Sequence, residues 1–262
     1  MVPSRAVSKL DLALAARAAE RAADCARAEI AARFRQVAVE TKGDGSPVTE
    51  ADRAAERAIR SVLQQAFPDF GILGEEYGAE GRDSGPRWVI DPIDGTIGFA
   101  RGLPLYSILI GLVVDAEPVL GLIDCPGIAE RIVGWKGGGC RRNGEPVRVS
   151  QQTELRRALI SHGDPFCFEL FGAKPGFLRM AREIPMLRGY TDAFGHALVL
   201  GGGVDAMVDL HLNAWDAAPT QALIPEAGGR CVTLPARDGK IGLVFGSPGL
   251  VDELVEMLSA SG

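Results

Sequence analysis

Residues 88–98, WVIDPIDGTIG, run an apolar stretch straight into two aspartates three positions apart and then a Gly-Thr pair. Pro92 has no N–H to donate and, with Gly95, discourages continuation as a strand or an ordinary helix. The pattern predicts a strand over 87–91 that stops at a turn. Such a turn can aim Asp91 and Asp94 at one point and leaves the Ile93 carbonyl available as a ligand. It is either a solvated strand end or a cation site.

The surrounding sequence predicts a layered α+β sandwich. Residues 7–38 carry Leu10, Leu12, Leu14, Ala18, Ala22 and Ile30 among charges, the pattern of a long amphipathic helix. A polar loop, TKGDGSPVTEAD, leads into a second helix over 50–66. FGILGEE (70–76) and RWVID (87–91) read as short strands ending in carboxylates. SILIGLVVD (107–115) and PVLGLIDCP (118–126) form a hairpin turning near Ala116-Glu117. ERIVGW (130–135) extends the sheet, and Asn143-Gly144 marks a further turn. Past residue 150 helices and strands alternate: strands at 157–162, 204–210, 230–234 and 241–246, helices at 175–184, 192–203, 215–229 and 249–259. This divides the chain into an N-terminal half, 1–150, and a C-terminal α/β half, 151–262, expected to pack as one unit.

With a formal charge of −6, a broad nucleic-acid footprint, which needs a basic face, is not expected. Five scattered cysteines without C-x-x-C spacing predict reduced thiols and no structural zinc. The Ala-rich N-terminus is charged throughout, unlike a signal peptide or membrane span, and a cytoplasmic location is expected.

Four acidic features stand where an apolar stretch ends or a helix begins: Asp52 in VTEAD, Glu75-Glu76 after FGILG, Asp91 and Asp94, and Asp216 in AWDAAP. Each has a plain reading. Asp52 completes a capping box with Thr49, Asp216 caps its helix, and the glutamates end an edge strand. Recurrence of one chemistry at four such places favours a shared site. Two carboxylates about 4 Å apart repel by roughly 4 kcal/mol at an effective dielectric near 20, so one holds a proton or a cation intervenes. Carboxylate, carbonyl, hydroxyl and water ligands favour Mg²⁺ over Zn²⁺. Covalent aspartyl phosphatases use D-x-D-G-T; here two residues separate the aspartates, so that geometry does not apply.

DPIDGT, with GEE and GDGSPVTEAD upstream and WDAAP downstream, resembles the inositol monophosphatase superfamily of Mg²⁺-dependent phosphatases along essentially the whole chain. The resemblance implies a five-layered αβαβα sandwich, of the inositol monophosphatase and sugar phosphatase type, assembled as a homodimer. It implies two or three Mg²⁺ ions. Glu75, Asp91, the Ile93 carbonyl and Thr96 surround the first, Asp91, Asp94 and Asp216 hold the second, and a third lies near Glu75. It further implies that Asp52 and Thr96 activate water, with Glu75 in the catalytic set, and that the Gly95 and Thr96 N–H groups hold phosphate. Lys42 matches a lysine near the site, or is an ordinary loop lysine.

The stretch GYTDAFGHALVLGGG (189–203) resembles the G-D-C-Y-type segment of histidinol-phosphate phosphatases more than the G-T-A type of inositol phosphatases. Ile97, Ala193 and Phe194 depart from that branch. Asp192 and Asp209, beside Asp94 and Asp216, are the expected substrate contacts, suited to an ammonium and an imidazole. Alternatively Asp192 caps its helix and Asp209 points outward in VDAMVDL. No histidine is required for the chemistry, and His196, on an apolar helix, reads as a packing residue. The expected activity is hydrolysis of L-histidinol phosphate. Inositol 1-phosphate or other sugar and nucleotide phosphates come next, and a regulatory partnership with RNA machinery is the reading of another class.

Overall fold

The computed structural model describes residues 10–36, 38, 40–41, 43, 47–82 and 84–259. Lys42 lies outside them.

The first layer pairs α1 (Leu12–Ala31) with α2 (Glu50–Ala66), and the two-residue strands β1 (Glu40–Thr41) and β2 (Pro47–Val48) pair between them. The buried face of α1 is mostly alanine, from Ala15 to Ala26, and small side chains let two helices approach closely. Both helices lie on an eight-stranded sheet built from β3 (Gly71–Gly74), β4 (Gly78–Glu80), β5 (Arg87–Asp94), β6 (Ser107–Val114), β7 (Glu117–Cys125), β8 (Glu130–Trp135), β9 (Gly139–Arg142) and β10 (Glu145–Pro146). The short helix α3 (Thr96–Ala100) follows β5. Strand order is β10-β9-β8-β7-β6-β5-β3-β4, antiparallel except where β3 meets β5.

The second sheet contains β11 (Leu159–His162), β12 (Met186–Arg188), β13 (Ala206–Leu212), β14 (Arg230–Arg237) and β15 (Lys240–Gly246), in the order β12-β11-β13-β15-β14. Between the sheets lie α6 (Asp192–Leu200) and α7 (Ala214–Glu226), burying Leu109, Ile123, Leu223 and Phe245 in a common core. On the outer face α4 (Pro165–Leu170), α5 (Lys174–Glu183) and α8 (Pro248–Ser259) cover Val208 and Val244 with Phe168, Met180 and Leu254. The result is the expected αβαβα sandwich.

A row of glycines seats α7. Gly111, Gly121 and Gly134 stand directly opposite one another across β6, β7 and β8. A Cβ on Gly121 would lie 2.3 Å from the Pro219 carbonyl oxygen, and one on Gly134 3.0 Å from the Leu223 side chain. The missing side chains make a groove in which α7 approaches the sheet backbone, and α7 carries Asp216.

Four local expectations are corrected. Pro92 does not end its strand: pairing resumes at Asp94, opposite Ser107, after an irregularity between Asp91 and Asp94. A bulge tolerates a proline that a regular ladder would exclude. Glu75 and Glu76 do not follow an edge strand, because β4 pairs outside β3. The hairpin turns at Asp115-Ala116, both with positive φ, one residue earlier than expected. The first helix is shorter than 7–38, and α3, α4 and β12 had no hydrophobic period long enough to announce them.

Candidate active site

Two helix starts, from opposite faces of the eight-stranded sheet, converge with one bulged strand end. Asp52 is buried in the first turn of α2, where its Oδ2 accepts the Thr49 backbone N–H at 2.8 Å and the Thr49 hydroxyl. The capping reading is correct, yet it occupies one oxygen only. Oδ1 faces Thr96, whose Oγ1 lies 3.4 Å away and donates to the Ile93 carbonyl at 3.0 Å. Asp216 repeats the device on α7. The N-cap is Asn213, not Asp216, and Asp216 Oδ2 accepts the Asn213 N–H at 2.7 Å and its amide at 3.2 Å.

The β5 bulge turns the two remaining aspartates inward. Asp91 accepts the Ile93 N–H at 3.0 Å, while Asp94 accepts the Ala193 N–H at 2.6 Å and so anchors the start of α6. Ligand oxygens of Asp91, Asp94 and Asp216 lie within 4.8 Å of one another. Glu75 lies near enough for its charge to act on Asp91. Its loop is held from α2 by the buried Glu56, which accepts the Glu76 N–H at 2.7 Å and pairs with Arg60 at 2.7 Å. Glu56 is a positioning residue with only a faint sequence signal, a glutamate one turn past Asp52 on an alanine-lined face.

The cluster holds its charge under tension. Burial, then the charges of Glu75, Asp94 and Asp216, pushes Asp91 well above the ordinary carboxylate range. Burial and then Asp192 and Asp216 do the same to Asp94, against the pull of the Ala193 N–H. Asp216 is pushed up to about 7, chiefly by burial, despite its two bonds from Asn213. Burial also raises Asp52, opposed by Thr49. Carboxylates so placed share protons or a cation. Three convergent carboxylates beside a carbonyl, with no lysine or arginine bonded to them among the described residues, fit a hard divalent cation.

Gly95, with φ of 83°, caps α3. A Cβ there would lie 3.1 Å from the Leu105 carbonyl oxygen, so glycine meets both a left-handed backbone and a close approach. The first N–H groups of α3 have no intrahelical acceptor. They open on a cleft of about 480 Å³ lined by Glu75, Thr96, Ile97, Asp164 and Asp192. An adjoining cavity of about 140 Å³ is lined by Asp94, Asp164, Cys167, Asp192, Asp209 and Asp216, among others.

Asp192 does not cap α6; Thr191 does. Asp192 is the first helical residue, with φ of 59°. It is solvent-accessible but crowded by the cleft, and burial and the charge of Asp209 raise its pKa. Asp209 does not point outward. It is buried on β13, 2.9 Å from His196 Nε2. Asp164 and Cys167, from α4 and the turn before it, complete the cavity and carried no sequence signal.

A sandwich of this order with an acidic, phosphate-sized site defines a metal-site phosphatase fold. The inositol monophosphatase family model matches residues 7–254, and the chain belongs to that family. It is a phosphoric monoester hydrolase. The chain is 34% identical to a histidinol-phosphatase of Mycobacterium tuberculosis over 95% of its own length and 98% of the relative's. It is 37% identical to an inositol-1-monophosphatase of Mesorhizobium japonicum over 73% of each chain. The solved structure of an inositol monophosphatase from Zymomonas mobilis superimposes with a TM-score of 0.81 at 31% identity, covering 98% of this chain and 100% of that one. No helix among the described residues is long and apolar enough to cross a membrane.

Proposed function

We propose that the chain is a Mg²⁺-dependent phosphatase that hydrolyses L-histidinol phosphate. The observation that carries the substrate is the acidic cavity wall beside the cluster. Asp164, Asp192 and Asp209 line the small cavity, and no lysine or arginine lines it among the described residues. A substrate whose phosphate reaches α3 would present its other end to that wall, where an ammonium or imidazolium is favoured over a neutral polyol. The name of the Mycobacterium relative supports the same reading.

Glu75, Asp91, the Ile93 carbonyl, Asp94 and Asp216 would hold two or three Mg²⁺ ions. When bound, these would supply electrostatic stabilisation to the phosphoryl oxygens and leaving group and make water more acidic. The chain's own groups do the rest. Gly95 and Thr96 N–H groups bind and orient the phosphate. Thr96 Oγ1 and Asp52 Oδ1 hold the attacking water and take its proton, a role suited to a carboxylate whose pKa burial has raised. Asp94 couples the cluster to α6, so the substrate wall is placed by a metal ligand.

Turnover of histidinol phosphate and inositol 1-phosphate, each with and without Mg²⁺, tests the proposal. Inositol 1-phosphate is the second reading, favoured by the name of the Mesorhizobium relative. The relatives' names give no support to a role with RNA machinery. A cytoplasmic homodimer completes the proposal.

A further inference from the structure

We infer that His196 is a positioning residue for the cationic end of the substrate, acting through Asp209, and that Gly163 shapes the same carboxylate from its other side. The inference rests on the proposed substrate reading and adds to it the residues that orient the acidic wall.

His196 sits on α6 among Ala193, Gly195, Ala197, Val199 and Leu200, all buried, and is itself 1% exposed. An imidazole in such surroundings needs partners for both nitrogens. Nδ1 lies 2.6 Å from Thr220 Oγ1 and Nε2 2.9 Å from Asp209 Oδ2. The ring stands edge-on to Phe245 with centroids 4.7 Å apart. Bonds at both nitrogens and an aromatic wall leave the ring one orientation, and that orientation fixes Asp209 Oδ2.

The second oxygen is shaped by absence of a side chain. A Cβ on Gly163 would lie 1.9 Å from Asp209 Oδ1, and the Gly163 N–H donates to the Val208 carbonyl at 2.9 Å, tying that loop to β13. Asp209 is 5% exposed, and its Oδ2 is held by His196 Nε2. A carboxylate so nearly removed from water holds further capacity to accept a charged donor, and it lines the cavity beside Asp164 and Asp192. His196 and Gly163 both act on this one group, yet they come from different layers of the fold.

The test separates selectivity from packing. His196→Phe keeps the ring and its contact with Phe245 but donates nothing to Asp209; His196→Gln keeps a donor. Gly163→Ala displaces the carboxylate from the opposite side. For folded variants, kcat and KM are measured with Mg²⁺ on histidinol phosphate and on β-glycerophosphate, whose alcohol end carries no charge. His196→Phe and Gly163→Ala are expected to raise KM for histidinol phosphate by about tenfold or more, the value of a hydrogen bond to a charged group. The rise should be several times that for β-glycerophosphate, with His196→Gln partly restored. Equal losses on both esters would overturn the inference and reduce His196 to a core residue while leaving the proposed substrate standing. A wild-type enzyme with no preference for the cationic ester would instead overturn the substrate reading, and this inference with it.

Discussion

Asp52 and Asp216 hold the same position, third in their helices, at the starts of α2 and α7. Each accepts the N–H of its N-cap residue through Oδ2. The capping bonds orient two carboxylates from opposite faces of the eight-stranded sheet toward Asp91 and Asp94. One bond at each place serves both helix stability and the site.

Thr49→Ala removes a hydroxyl that Asp52 accepts and that itself accepts the Ala51 N–H. Thermal or urea unfolding should show a loss of about 1 kcal/mol. Asp52→Asn should lower kcat by about 10²-fold or more, as expected for removal of a general base. An Asn variant with near wild-type kcat would leave Asp52 as a cap alone.

Asp94→Asn keeps an oxygen for the Ala193 N–H but removes one of the three convergent charges. Circular dichroism should match wild type, while titration calorimetry with Mg²⁺ should show affinity weakened by more than about 100-fold, beyond the usual effect of an outer-shell change. Phosphate release should fall with it. Unchanged affinity would break the assignment of Asp94 as a ligand.

Gly121→Ala places a methyl 2.3 Å from the Pro219 carbonyl oxygen. The helix or the sheet must shift, at a cost of about 1–3 kcal/mol in stability. Because α7 carries Asp216, Mg²⁺ affinity should weaken even though residue 121 is remote in sequence from every ligand. A stability loss with unchanged Mg²⁺ affinity would separate the glycine row from the site.

The metal-free protein should lose stability as pH rises. Asp216 moves from the ordinary 3.8 to about 7 on folding, and Asp91 and Asp94 are also raised well above the ordinary carboxylate range. A carboxyl that binds its proton more tightly when folded contributes stability in full below about pH 4. That contribution is lost as pH rises through the folded value. In chelator, the melting temperature should therefore fall between about pH 4 and 7 from Asp216, with Asp91 and Asp94 adding to the fall in the same direction. Saturating Mg²⁺ should abolish most of the fall, since it stabilises the charged forms. A melting temperature independent of pH in chelator would contradict the buried cluster.

Much of this was legible in the chain. The alternation and length of 107–126 and the periodicity of 50–66 gave their elements within a residue or two, because local pattern and burial agree there. DPIDGT announced the turn and its aspartates. What stayed hidden depends on contacts remote in sequence. Nothing in VGW, LGL or IGL marks Gly134, Gly121 and Gly111 as one row until the strands are in register. His196 follows the apolar period of its helix, and only the fold brings β13 within reach of its Nε2. Pro92 misled because proline argues against a strand in general but not at a bulge.

The most direct measurement of the central claim is kcat/KM for L-histidinol phosphate against inositol 1-phosphate, on one preparation, with Mg²⁺ and with chelator. The account predicts Mg²⁺-dependent turnover of both at most, with histidinol phosphate preferred by about tenfold or more, the value of one charged contact. Equal or faster turnover of inositol 1-phosphate, or activity undiminished in chelator, would contradict it.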